Sequence, residues 1–264
     1  MTTARPQDLQ PFALAVAAYR QIWQARDDLL RLGLVPFVPL YLLFRQLETV
    51  QTAMYLEMQK GKDADLTQIM DGSVQSLLIG LGLMAVIGIF NVNWIRQMTL
   101  GRDSAPGLGL HIGGRHLRFI LFMLALVALV FLAAVVASVI FTIVGLAGVS
   151  LPLSMLILVI GYLLLLIRLS PSWIGIAIDA PMPLGVAWRR ARGQTARIIV
   201  GLMISALPAF VAQSLLGTIF FNTGLVEAAP LAFSALSSFI SLVYMAVQLN
   251  LFVLAYPRFV SETV

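Results

Sequence analysis

From Phe119 to Ile167 the chain runs 49 residues without a charged or histidine side chain. A helix through such a run is apolar on every face, and about 20 apolar residues already cross a bilayer core. The run is too long for one crossing. Gly145 to Pro152 (GLAGVSLP) supplies the Gly and Pro punctuation of a tight turn between two crossings. Other charge-free runs cover Gly72 to Ile95 (24 residues), Ile198 to Val226 (29) and Ala228 to Pro257 (30). Of the 264 residues, 60% are hydrophobic and 11% charged, whereas soluble domains carry roughly 25% charged residues. An ordinary soluble domain is excluded, and the class is polytopic membrane protein.

A further span lies between Arg31 and Arg45, where Leu32 to Phe44 is uncharged and contains Pro36 and Pro39. Those thirteen residues rise only ~20 Å, short of a ~30 Å hydrocarbon core, so Leu29, Leu30 and Leu47 are recruited while both arginines snorkel to the interfaces. The sequence thus predicts an all-α fold, a single membrane domain over 1–264. Its six transmembrane helices fall near 29–47, 73–98, 118–146, 152–178, 198–221 and 231–256, after a cytoplasmic interfacial helix within 1–28. The 264 residues are used up by these elements, and the N-terminus shows no cleavable signal peptide.

Basic residues set the orientation. Arg5, Arg20 and Arg26 precede the first span; Arg96, Arg102, Arg115 and Arg118 follow the second; Arg168, Arg189, Arg190, Arg192 and Arg197 follow the fourth; Arg258 lies in the tail. The other side holds Lys60 and Lys62 besides the interfacial Arg45, so the positive-inside rule places both termini in the cytoplasm. The positive excess implies contact with anionic headgroups, for which Arg115, Arg118, Arg189, Arg190, Arg192 and Arg197 are the candidates. No nucleic-acid-binding motif is present.

The cytoplasmic connections repeat: Asp8, Pro11 and Arg20; Asp103, Pro106 and Arg115; Asp179, Pro183 and Arg192, with nine residues from Pro to Arg each time. Asp can cap a helix start and Pro is tolerated in its first turn. Phe12, Val16, Tyr19 and Trp23 share one helical face, as do Leu184, Trp188 and Ala191. The expected unit is an interfacial amphipathic elbow followed by a transmembrane hairpin, repeated three times, although the second elbow (GLGLHIGGRHLR) is Gly-rich. The alternative is that membrane-protein loops favour Asp, Pro and Arg.

Tyr162 to Ile199 (YLLLLIRLSPSWIGIAIDAPMPLGVAWRRARGQTARII), and more weakly Trp94 to Ser104 (WIRQMTLGRDS), carry a resemblance. The chain resembles a family of six-span bacterial inner-membrane proteins that includes YciC and the membrane domain attached to some glycerophosphoryl diester phosphodiesterases. The resemblance implies six spans and residence in the bacterial cytoplasmic membrane, with no agreed molecular activity. The Gly-rich second elbow and the adjacent Arg189 and Arg190 depart from the family pattern.

Charged or polar groups within spans mark candidate sites. Arg168 lies about 24 Å along a fourth span that starts at Pro152, with LSPSWIGIAI following it. Asn91 and Asn93 in the second span and Gln248 and Asn250 in the sixth occupy similar depths, which suggests a polar vestibule open to the cytoplasm with Arg168 meeting a phosphate or other anion. The competing reading has Arg168 snorkelling and the amides bonding across helices. Asp27 and Arg31 read as an i, i+4 pair. Asp179 reads as a cap or a partner of Arg168. His111 and His116 lie on different faces with no carboxylate cluster, so neither a metal nor a cofactor is expected. Ala133 with Ala137, Ala134 with Ser138, and Ser234 with Ser238 suit close helix packing. Thr49 to Gly72 reads as the one sizeable outer connection, either a solvated linker or a short helix with Met54, Tyr55 and Met58 on one side.

The spans hold no His, Asp or Glu, so an intramembrane enzyme is not expected. Two classes remain. One is a non-enzymatic factor that organises lipid or envelope, or assembles with another membrane protein. The other is a transporter or lipid-handling permease, for which in-membrane helix breaks would be the pointer.

Overall fold

The computed structural model describes residues 10–61, 65–105, 112–144 and 147–261. It is all-helical, with 90% helix and no strand among the described residues. Helix α1 (Pro11–Gln24) opens on its proline and buries Leu14, Ala15, Ala18 and Ile22 while Phe12, Val16 and Trp23 are exposed, an amphipathic pattern. Helix α2 (Arg26–Gln59) and helix α3 (Leu66–Leu100) form a long hairpin.

Here the structure extends the sequence reading. Most of Thr49–Gly72, expected as a connection, is helix: α2 runs unbroken through the Met-, Leu- and Glu-rich turns beyond position 47, good helix formers all. Met54 packs against Gly72, where an added Cβ would meet the Met54 Cγ at 2.5 Å. The turn is closed by Glu57, which is buried, accepts the Asp65 N–H at 2.8 Å and binds the Lys60 ammonium. Asp65 in turn caps α3 by accepting the N–H groups of Thr67 at 2.9 Å and Gln68 at 3.4 Å. Those contacts, with the Asp65 N–H foremost, hold the Glu57 carboxyl below its usual range.

Gly101, at φ +93°, ends α3 and leads into a 3-10 turn, Arg102–Ser104. Beyond it come α4 (Gly114–Ile143), α5 (Ala147–Arg168), α6 (Ser170–Ala177), α7 (Leu184–Ala191), α8 (Thr195–Asn222), the single turn α9 (Leu225–Ala228) and α10 (Pro230–Ser261). Among the described residues four helices are long and apolar enough to cross a membrane: Leu66–Leu100, Gly114–Ile143, Thr195–Asn222 and Leu231–Val260. The pair Leu153–Arg168 and Ser170–Ala177, bent by 59°, makes a fifth if it is one span. Six spans were expected; four helices among the described residues, or five with the bent pair, meet this length and apolarity requirement. The expected first span, 29–47, lies within α2, whose charge-free stretch is the thirteen residues from Leu32 to Phe44.

The helices form two compact units. The first contains residues up to Ala17, Ile112–Ile204 and the stretch from Leu251 onward; the second contains Ala18–His111 and Ser205–Asn250. In the second, α2 packs with α3 and meets the earlier part of α10, which is bridged in turn to the later part of α8. Gly33 admits the Leu242 side chain, a position where an added Cβ would sit 3.0 Å from Leu242 Cδ2. In the first, Gly201 of α8 lies under Leu251 of α10, and α4 pairs with α5.

Of the expected elbows, the first and third regions are helical, as α1 and α7. In the second region residues 106–111, including Pro106 and His111, lie outside the described residues, Ile112 and Gly113 are not helical, and Arg115 and Arg118 already belong to α4. Arg5, Asp8 and Lys62 also lie outside the described residues.

Candidate functional site

The fourth expected span is broken at Leu169, and the cause is local. Pro171 has no N–H to give the carbonyl of Ile167, and its ring crowds that carbonyl. The Ser170 hydroxyl donates to that carbonyl instead, at 2.8 Å. The Trp173 indole N–H donates to the Leu166 carbonyl at 3.0 Å, so side chains satisfy two carbonyls at the end of α5. Trp173 is 1% exposed and is held edge-on by Phe119 at 6.1 Å and Phe252 at 5.1 Å between ring centroids. Seven of the eight residues of α6 are buried.

After α6 the chain turns back on itself. The Ala180 N–H donates to the Gly175 carbonyl at 2.8 Å, and Asp179 adopts φ +61°, the left-handed conformation at a helix C-terminus. Ser172 Oγ donates to the Met182 carbonyl at 2.8 Å. Asp179 does not cap a helix start, because α7 starts after Pro183; its Oδ2 pairs with Arg115 Nη1 at 3.0 Å. The carboxylate that the sequence offered to Arg168 is thus engaged with Arg115.

Arg168 ends α5 at the bend, and its guanidinium carbon lies 5.0 Å from the centroid of the Trp188 ring. Among the described residues Arg168 has no carboxylate partner. Trp188, on α7, is exposed, as are Arg118, Arg189 and Arg192, while Arg190 is spent on the Phe259 carbonyl at 2.8 Å and Arg197 is part-buried and bonded. The first unit therefore holds a partly exposed arginine on an aromatic face, and exposed arginines at positions 118, 189 and 192. The chemistry it can offer is recognition of an oxyanion, since guanidinium groups supply charge and paired donors.

Arg168 belongs to the first unit and the four expected amides to the second. Asn250 is fully buried and its Oδ1 accepts the Trp94 indole N–H at 2.9 Å, tying α10 to α3. Its Nδ2, and Oδ1 of the half-buried Asn91, are buried without a hydrogen-bond partner among the described residues. Asn93 is buried and bonded, and Gln248 donates to the Tyr244 hydroxyl at 2.6 Å along its own helix. His116, one of the two weighed histidines, is buried and accepts the Gly113 N–H on Nδ1 at 3.1 Å, which closes the first turn of α4.

Several polar groups escaped the sequence reading. Arg31 pairs with Asp28 at 3.4 Å, not with Asp27, which is exposed beside Arg26. Arg31 also donates to Gln97 Oε1 at 3.0 Å and to the Ala105 carbonyl at 3.1 Å, and Arg102 approaches the same Asp28 oxygen at 3.3 Å. Arg31 thereby fastens the base of α2 to the end of α3 and to the turn after it. An i, i+3 carboxylate was available in the sequence, but Gln97 and Ala105 carried no signal. Gln213 of α8 bridges to α10, donating to the Ser237 carbonyl at 3.0 Å and accepting the Ser237 hydroxyl at 3.1 Å. Tyr19 donates to the Ser205 carbonyl at 2.7 Å, one residue from the Ile204 carbonyl that Pro208 deprives of its usual donor.

Set against known proteins, the chain matches no family model, no curated protein and no solved structure. The class that the fold and composition define is an all-helical protein with several helices apolar enough to cross a membrane.

Proposed function

We propose that this chain is a non-enzymatic integral protein of a bacterial cytoplasmic membrane that organises anionic lipid at its inner face, alone or as an accessory subunit of a membrane complex. The observation that carries this reading is Arg168: a guanidinium at a broken helix, laid on Trp188 and without a carboxylate partner among the described residues. A cation beside apolar spans costs several kcal/mol unless something meets it, and a lipid phosphate at the interface is the counter-charge such a place supplies. In this reading α1 and α7 lie in the interface as elbows, α2 inserts far enough to complete six spans, both termini are cytoplasmic, and kinship is with the YciC-like membrane family. Membrane lipids are then the principal partners and no nucleic acid is involved.

The test is native mass spectrometry of the protein released from its own membrane into lipid particles. Retention of a defined anionic lipid that Arg168→Ala loses supports the proposal. A stoichiometric protein partner with no such lipid dependence favours the accessory-subunit arm. One observation favours a lipid-handling permease as the second reading: the 59° break between α5 and α6, since discontinuous spans recur where transporters bind substrates. Loss of lipid flux in reconstituted vesicles on Arg168→Ala, with folding intact, would favour it over a static role.

A further inference from the structure

A polar cavity of about 90 Å³ lies wholly within the second unit, between α2 and α10. Arg45 and Glu48 border it from α2; Ser234, Ser237, Ser238 and Ser241 line it from α10. The serines recur every three or four residues and so share one helical face, in the opening turns of an apolar span that begins at Leu231. That places the cavity near the end of a span, the depth at which headgroups lie. One wall is fixed: Gln213 holds Ser237, and the Ser241 hydroxyl donates to the Ser237 carbonyl at 2.9 Å.

Arg45 and Glu48 are an i, i+3 pair, about 5 to 6 Å apart at Cβ, close enough to bond each other. Among the described residues neither side chain is engaged in an ion pair or hydrogen bond. The cavity thus presents a guanidinium and a carboxylate a few ångströms apart, with the hydroxyls of Ser234 and Ser238 on its α10 wall. A simple anion placed on Arg45 is repelled by Glu48, and a simple cation placed on Glu48 is repelled by Arg45.

We propose that this cleft binds a zwitterion, its anionic end on Arg45 and its ammonium on Glu48. Two sources carry that chemistry: a phosphoethanolamine headgroup at the membrane surface, and a free soluble zwitterion such as an amino acid. The site uses no residue of the Arg168 region, so the two proposals stand or fall separately.

The experiment places the full chain in nanodiscs of equal parts phosphatidylethanolamine and phosphatidylglycerol and measures which lipid stays bound in native mass spectrometry. In parallel, delipidated protein in detergent is titrated with free phosphoethanolamine and with glycine. Preferential retention of phosphatidylethanolamine supports the proposal with a lipid source; binding of either free zwitterion supports it with a soluble one. In Glu48→Gln the preference is expected to fall about tenfold, the worth of one charged hydrogen bond, and to reverse toward phosphatidylglycerol, because the anion now meets Arg45 unopposed. Misfolding cannot produce a reversal, and both side chains are exposed, so the melting temperature should not move. Equal retention of the two lipids together with no binding of either free zwitterion would overturn the proposal, as would a Glu48→Gln protein indistinguishable from wild type.

Discussion

Substitution of Gly175 by Ala sets two effects of opposite sign against each other. In the middle of a helix, Ala is about 1 kcal/mol better than Gly, so a straight span through this region would gain stability. In the structure the Cβ of an alanine would sit 2.5 Å from the Ala180 carbonyl oxygen, 3.2 Å from the Met182 nitrogen and 3.3 Å from the Ala180 carbonyl carbon. All three are backbone atoms of the returning turn, so none can swing aside as a side chain would. Relief requires the turn to lift, which costs the 2.8 Å bond from the Ala180 N–H to the Gly175 carbonyl and loosens the Ser172 bond to Met182. Overpacking costs typically 1–3 kcal/mol and a broken hydrogen bond about 1 kcal/mol more, which exceeds the helix-propensity gain. The net expectation is a loss of about 2 kcal/mol. Thermal unfolding of detergent-solubilised protein, followed by tryptophan fluorescence, should show a melting temperature several degrees lower. An unchanged or raised melting temperature would refute the reasoning, because it would mean that the turn does not fold back onto Gly175.

Other consequences can be checked alongside. Trp173→Ala removes the ring held between Phe119 and Phe252 and should cost about 3–5 kcal/mol, seen as a sharp fall in the yield of folded protein. Arg31→Met keeps the apolar stem but frees Asp28 and Gln97, so amide exchange should speed up at Gly101–Ala105 while the far end of the α2–α3 hairpin is unaffected. Because the Glu57 carboxyl is held below its usual range, its contribution is complete above the unfolded value and lost as pH falls through the folded one. Protection of the Asp65 amide, taken relative to its intrinsic exchange rate at each pH, should therefore fall only on acidification below about pH 4.5, and Glu57→Gln should abolish that acid-dependent loss.

The helical class and the apolar segments were legible in the sequence because a charge-free run of 49 residues leaves little else possible. The break at Leu169 was also written there, in Ser170-Pro171-Ser172, but ten mostly apolar residues beyond Arg168 read as one continuing span. Apolarity reports what a segment is dissolved in, and only the missing N–H of Pro171 reports where its ladder stops. Asp179 illustrates a second limit. Next to two prolines its chemistry suits a helix start, yet the turn that follows α6 uses its tolerance of positive φ and leaves its carboxylate to Arg115, a partner 64 residues away in sequence that no local pattern announces. Asp27 and Asp28 were equally placed to meet Arg31, and the choice was made by Gln97 and the Ala105 carbonyl, long-range contacts invisible in the local spacing. Ser234 and Ser238 were visible as a small-residue pair for packing, whereas the wider serine face and its meeting with Arg45 and Glu48 required the fold.

The bend after α5 must lie at headgroup depth for Arg168 to meet a lipid phosphate, and the chain's lack of cysteine makes that depth directly measurable. Nitroxide labels at the exposed positions Val159, Leu164 and Leu184, introduced one at a time as cysteines, can be read for collisions with oxygen and with a water-soluble nickel complex in bilayers. The expected result is a gradient, with Val159 reached by oxygen alone, Leu164 by both agents weakly, and Leu184 mainly by the nickel complex. Equal access of the nickel complex to all three would place α5 outside the bilayer, and oxygen-only access at Leu184 would bury the basic region away from any headgroup; either result would contradict the account.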